Sequence, residues 1–260
     1  MQGGARVTVY DAMPSVGRKF LMAGVGGMNI THAEPIASFL ARYGARRAQI
    51  APWLDTFNPD TLRQWMQTLG IDSFVGSSGR VFPSDMKAAP LLRAWLHRLR
   101  AGGVRFCVRH RWLGWSEQGA LRFASPAGEQ QIAPDAVLLA LGGGSWARLG
   151  SDAAWLPWLT QRGVEIAPLR PANCGFDVAW SAHFKTRFAG HAIKSVAISF
   201  TDQAGVTLRR RGECMATANG VEGSLIYALS AALRDEIAAK GSARIELDLL
   251  PDKPRAWVMD

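Results

Sequence analysis

Arg18 and Lys19 are adjacent cations at the head of a stretch, Gly17 to Asn29, that contains four glycines. Their side chains can neutralise phosphates or hydrogen-bond ribose hydroxyls. Glycines let backbone N–H groups come close to a ligand, and here Gly26 and Gly27 are followed by Met28 and Asn29. The Asn29 amide offers both a donor and an acceptor to the edge of a heteroaromatic ring. Just upstream, Val7-Thr8-Val9-Tyr10-Asp11 has the texture of a strand ending in an acid. In dinucleotide-binding sheets a carboxylate at that place bonds the adenosine ribose. A strand-ending Asp is also a common turn former. A third segment, the apolar run Ala136–Leu141, ends in Gly142-Gly143-Gly144. Glycines beyond the carboxyl end of a parallel strand open the crevice where ligands sit in such sheets, and a simple tight turn has the same composition.

The elements that must position these residues are read from period and punctuation. The Gly17–Asn29 stretch is expected to be a loop. Glu34-Pro35 and Asn58-Pro59 each open a helix, with Pro in the first turn. Leu62, Trp65, Met66 and Leu69 line the second of these, up to Gly70. A loop with Gly76, Gly79 and Pro83 follows. A third helix starts near Asp85, with Leu91, Leu92, Trp95, Leu96 and Leu99 as its apolar stripe. The period then changes. Val104–Val108 alternates, the segments near Trp112–Trp115 and Leu121–Ala124 form an antiparallel pair, and Ala136–Leu141 is expected as a strand buried on both faces. Helices are expected at Ala153–Arg162 and Glu222–Lys240, and strands at Ala192–Thr201, Val206–Arg211 and Arg244–Leu250. The domain boundary falls near 163–175, giving domains of 1–165 and 166–260.

A chain of 260 residues that is 48% hydrophobic and 20% charged has globular composition, which excludes a disordered or collagen-like polymer. No apolar run approaches the roughly 18–20 residues of a membrane span, and the opening residues carry too many charges for a signal peptide. Cys107, Cys174 and Cys214 are too far apart for a CxxC pair or a cysteine zinc cluster and suit a reducing cytoplasm. No metal is expected, and Cys174 is expected to pack as a buried thiol. The net charge of +9 raises nucleic acid as a partner, but the cations are scattered, with clusters only at Arg109-His110-Arg111 and Arg209-Arg210-Arg211. A generally basic surface is the simpler reading.

The segments VTVYD, GRKFLMAGVGGMNITH, GRVFPSDMKA, LALGGGSW and GECMATANGVEGSLIYALSAAL lie in order over nearly the whole chain. Together they resemble the BaiN-type flavoproteins, a family of bacterial oxidoreductases. EGSLIYALS departs from the commoner family form, which has S-G-P; Val25 and His32 depart from commoner residues too. The resemblance implies an α/β fold: a partial Rossmann-like FAD-binding domain carrying an inserted, mainly β second domain. It implies Asp11 on the adenosine ribose and Arg18 and Lys19 along the ribose and pyrophosphate. Gly26, Gly27, Met28 and Asn29 would lie near the flavin ring, Trp112 near the adenine, and Gly142 and Gly143 along the cofactor. Arg80 and Lys87 are active-site candidates only through the GRVFP segment, and no residue is named catalytic. The five histidines are scattered.

The family pattern also has a strand and a GxGxxG turn ahead of VTVYD and a Gly-containing segment after the second domain; neither is found in this sequence. The expectation is therefore a fragment of an FAD-dependent oxidoreductase, with NAD(P)H as electron donor and a small organic molecule as substrate. Such a chain would hold FAD weakly or not at all. The alternatives are a non-catalytic remnant without cofactor and a basic, non-specific nucleic-acid binder.

Overall fold

A computed structural model describes residues 4–22, 27–254 and 257–258. They form two compact units, 1–167 and 168–260.

The first unit begins with β1 (Thr8–Asp11), α1 (Arg18–Met22), β2 (Thr31–His32), α2 (Ile36–Ala41), α3 (Arg47–Thr56) and α4 (Pro59–Gln67). It continues with β3 (Ser73–Val75), β4 (Arg80–Pro83), α5 (Ala88–Ala101), β5 (Arg105–Val108), β6 (Arg111–Trp115), β7 (Leu121–Ser125), β8 (Gly128–Ile132) and α6 (Leu156–Gln161). β1 and β5 pair in parallel, Val9 opposite Phe106 and Asp11 opposite Val108. α5 is the crossover element just before β5. It buries Ala88, Leu91 and Leu92, each leucine contributing about 1.5–3 kcal/mol. α4 starts as its sequence dictates: the Asn58 side chain accepts from the N–H groups of Asp60 and Thr61, and Pro59 needs no donor there. β2, β4 and β3 form one antiparallel sheet, and β6, β7 and β8 another.

Several expectations are corrected. Arg18–Met22 is a short helix, not loop, because four of its five residues, Arg18, Lys19, Leu21 and Met22, are good helix formers. The Gly76–Pro83 region is a hairpin: Gly76 and Gly79 make the turn, and Pro83 ends the strand at the partner of Ser73. The largest correction concerns Ala136–Leu141, which is not a strand. It pairs with no strand among the described residues, and Leu138 is 92% exposed. A run of apolar residues becomes a buried strand only when a neighbouring strand accepts its N–H and C=O groups. Consequently Gly142 and Gly143 do not follow a strand, contrary to the expectation from the sequence.

The second unit comprises β9 (Phe176–Asp177), α7 (Ala182–Phe188), β10 (Ala192–Thr201), β11 (Thr207–Ala216), β12 (Gly220–Glu222), α8 (Ser224–Lys240) and β13 (Glu246–Asp248). The strands form one antiparallel sheet in the order β13-β10-β11-β12-β9. α8 lays Leu225, Ile226, Leu229 and Leu233 on Val196, Ile198, Phe200 and Cys214. The buried thiol is Cys214; Cys174 is only partly buried. The chain is thus an α/β protein with a Rossmann-like first unit and a mainly β second unit.

Candidate functional site

The parallel pair β1–β5 directs its carboxyl ends, Asp11 and Val108, to one edge, where such sheets bind ligands. The turn after β1 is built by Asp11 itself: its Oδ1 accepts from the Met13 N–H at 2.8 Å. The backbone then locks to the start of β6, with the His110 N–H donating to the Asp11 carbonyl and the Arg109 N–H to the Met13 carbonyl, both at 2.9 Å. The turn-forming and ligand-binding readings of Asp11 are compatible, since its Oδ2 has no partner among the described residues.

Lys19, on α1, crosses to the glycine-rich segment. Its Nζ donates to the Ser145 hydroxyl at 2.8 Å and to the buried Ser151 hydroxyl at 3.4 Å. Gly17 accepts from the Leu21 N–H to start α1 and lies against the Leu92 side chain of α5. The 142–152 segment is fixed by three more contacts. The Trp155 indole donates to the Gly142 carbonyl, the Ala153 N–H donates to the Gly143 carbonyl, and Gly150 lies against Met13. Gly142 has φ +73°, which favours glycine, and a Cβ on Gly143 would meet nothing within 4 Å. That open backbone is a place where a ligand can approach.

Arg111, at the start of β6, pairs with Asp152 at 2.9 Å. Burial pushes the Asp152 carboxyl up. The Arg111 hydrogen bond, the Ala154 N–H and the guanidinium charge outweigh it, so the group sits below the ordinary aspartate range. Asp152 is therefore committed to Arg111. Lys19 meets two neutral hydroxyls, and the half-buried Arg18 has its Nε buried without a hydrogen-bond partner among the described residues. One positive charge, Lys19, therefore stands at the crevice with no carboxylate bonded to it among the described residues, a charge that a phosphate would balance. Trp112, beside Arg111, also buries an indole N–H with no partner among the described residues, and its ring meets Trp115 edge-on at 4.8 Å.

The backbone around the crevice is strained. Arg109, Trp146 and Ala153 are non-glycine residues in the left-handed region, with φ of +58°, +65° and +57°. Such conformations persist where surrounding contacts over-determine them and concentrate at ligand sites.

Gly27, Met28 and Asn29 form a second cluster, on the β2-β4-β3 sheet. The Met28 N–H donates to the carbonyl of Met86, another left-handed residue, and Met28 itself is buried. The Asn29 amide nitrogen donates to the Thr31 carbonyl at 2.8 Å and the Val81 carbonyl at 3.2 Å. Its donors therefore hold the loop, leaving Oδ1 for any other partner. Gly26 lies outside the described residues. No hydrogen bond among the described residues joins this cluster to the Lys19 crevice.

Ser145, Ser151 and Asp152 were not singled out by sequence reasoning, nor was the Arg111 side chain. The available signal was the pair Gly144-Ser145 and Gly150-Ser151, each placing a hydroxyl directly after a glycine. Arg80 and Lys87 are exposed and make no side-chain hydrogen bond among the described residues. No described helix is long and apolar enough to cross a membrane.

The family described as HI0933-like protein Rossmann domain matches residues 1–233. The 3-dehydro-bile acid delta(4,6)-reductase of Clostridium scindens is 25% identical over 259 residues, 98% of this chain. This chain spans 61% of that relative's length. The order of strand, acid, paired cations and glycine-rich segments, together with the family match, establishes that the chain belongs to the HI0933-like Rossmann-domain family.

Proposed function

We propose that this chain supplies the FAD-binding part of a flavin-dependent oxidoreductase, acting on a small organic substrate with NAD(P)H as electron donor. The observation that carries the reading is the convergence of Lys19 and the 145–151 hydroxyls at the carboxyl end of β1 and β5. Residues 1–165 are the cofactor domain and 166–260 the substrate-side domain. Asp11 Oδ2 receives an adenosine ribose hydroxyl. Arg18 and Lys19 lie along the diphosphate, with Gly142 and Gly143 giving it room. Trp112 borders the adenine, and Gly26, Gly27, Met28 and Asn29 the ring system.

FAD, when bound, supplies hydride transfer. The chain's own residues bind and orient. A diphosphate entering the crevice takes a charge-assisted hydrogen bond from Lys19 Nζ, which is already aimed by Ser145 and Ser151. The Arg111–Asp152 pair holds β6 against the glycine-rich segment, so the adenine side and the phosphate side keep a fixed spacing. A reductase among the relatives supports reduction as the reaction direction.

A second reading, that the chain by itself retains no cofactor, is favoured by the exposed Ala136–Ala140 run and by β1, which among the described residues pairs with β5 alone. The two readings separate in an absorption spectrum of the purified chain before and after incubation with FAD, followed by anaerobic addition of NADH or NADPH. Shifted flavin bands that bleach on adding the donor support the oxidoreductase. A chain folded by circular dichroism that leaves the FAD spectrum untouched supports the second reading.

A further inference from the structure

β2 and β4 hold more than the Asn29 amide. Thr31 lies opposite Val81 and His32 opposite Arg80, and the Ala33 N–H donates to the Gly79 carbonyl at 2.8 Å. The His32 ring spans the two turns that flank this ladder. Its Nδ1 accepts from the Glu34 N–H at 3.2 Å, and its Nε2 stands 3.1 Å from the Ser78 carbonyl. A carbonyl only accepts and a backbone N–H only donates, so these two partners assign a neutral ring with its proton on Nε2. The ring lies flush on the 76–79 turn: a Cβ at Gly79, which has φ +78°, would come within 2.6 Å of it. Glycine is therefore required there both by the backbone and by the ring.

We propose that neutral His32 is a positioning residue for the Gly27–Asn29 cluster, clamping the 76–79 turn to the 32–34 turn, and that its protonation opens the clamp. The charged groups around the ring decide the direction. Glu34 Oε1 is 3.7 Å from Nδ1, beyond hydrogen-bond length, and both Glu34 oxygens already accept from Arg42, just after α2. Arg80, opposite His32 in the ladder, adds a positive charge on the same face of the sheet. A proton on Nδ1 sets it donor against donor with the Glu34 N–H, and the ring has to move off the Gly79 turn to reach the carboxylate instead. The Asn29 amide donates to the Thr31 and Val81 carbonyls of the same two strands, so a loosened turn loosens the hold on Asn29. That this cluster borders a cofactor rests on the flavoprotein reading above; the clamp stands on the hydrogen bonds alone.

The test is nuclear magnetic resonance on the full 260-residue chain without flavin, between about pH 8 and 5, the range in which imidazoles titrate. Histidine nitrogen spectra at the alkaline end are expected to show His32 as the Nε2–H tautomer. Amide exchange, corrected for its intrinsic pH dependence, is expected to show Ala33 and Glu34 losing protection about tenfold or more at the acid end. The Asn29 side-chain amide resonances are expected to shift with the same midpoint. His32→Asn keeps at the Nδ1 position an acceptor that takes up no proton, so its Glu34 N–H protection is expected to stay within about twofold over the same range. An Nδ1–H tautomer, wild-type protection indifferent to pH, or an equal fall in His32→Asn overturns the proposal, and the first two need no variant to fold. An Asn29 amide indifferent to the change overturns the positioning role. FAD titrations at both ends of the range keep the two readings apart. A pH-dependent clamp in a chain that binds no FAD supports the clamp and overturns the flavoprotein reading alone; saturable FAD binding with a clamp indifferent to pH does the reverse.

Discussion

Lys19 Nζ stands 2.8 Å from the hydroxyl of Ser145, a residue 126 positions further along the chain. That bond, with the longer one to Ser151, joins the two glycine-rich segments into one crevice. A hydrogen bond to a charged group contributes about 1.5–3 kcal/mol, and the cofactor feels only the part that aims Lys19. Ser145→Ala and Ser151→Ala are each expected to weaken FAD binding about two- to tenfold by leaving Lys19 less well aimed. Isothermal titration of each variant checks this, and undiminished affinity in both would detach the hydroxyls from the site.

The Arg111–Asp152 pair makes the first unit sensitive to acid. The Asp152 carboxyl is held below its ordinary value in the folded chain, so the pair's contribution is complete above the unfolded aspartate value of about 3.9. It is lost as pH falls through the lower, folded value. Urea unfolding between about pH 3 and 6 should show the first unit weakening at the acid end, less steeply in Asp152→Asn. Identical slopes in both proteins would contradict this role.

Cys214 is buried, and burial pushes its thiol up from the ordinary range. It is expected to resist a thiol reagent at neutral pH until the second unit unfolds, while the partly buried Cys107 and Cys174 react first. Peptide mapping after timed labelling reads the order directly.

Leu138 is exposed in an apolar segment that pairs with no strand among the described residues, the kind of surface that drives association. Leu138→Lys should reduce light scattering of concentrated protein while shifting stability by no more than about 0.5 kcal/mol. A large loss of stability would mean that the segment is packed in solution.

Local signals were legible and distant ones were not. Asn58-Pro59 fixes a helix start because the capping side chain and its donors lie within three residues. The β10–β11 hairpin follows from alternation and the turn at 202–205, and α8 from its apolar stripe. Ala136–Leu141 misled because hydrophobicity signals burial, but the ladder that makes a strand depends on a partner elsewhere. The Arg18–Met22 helix was hidden by surrounding glycines. The types of Asp11, Arg18 and Lys19 pointed to a nucleotide crevice, but no period or spacing reveals that Lys19 reaches Ser145 or that Arg111 reaches Asp152.

The central claim is that Lys19 helps to hold the cofactor diphosphate. The direct measurement is quenching of FAD fluorescence on titration with the purified chain, wild type beside Lys19→Met, both verified as folded. A charge-assisted bond worth about 1.5–3 kcal/mol predicts weak but saturable binding by the wild type and a roughly ten- to hundredfold loss in the variant. Absence of saturable binding by the wild type, or equal affinities in the two proteins, would contradict the account.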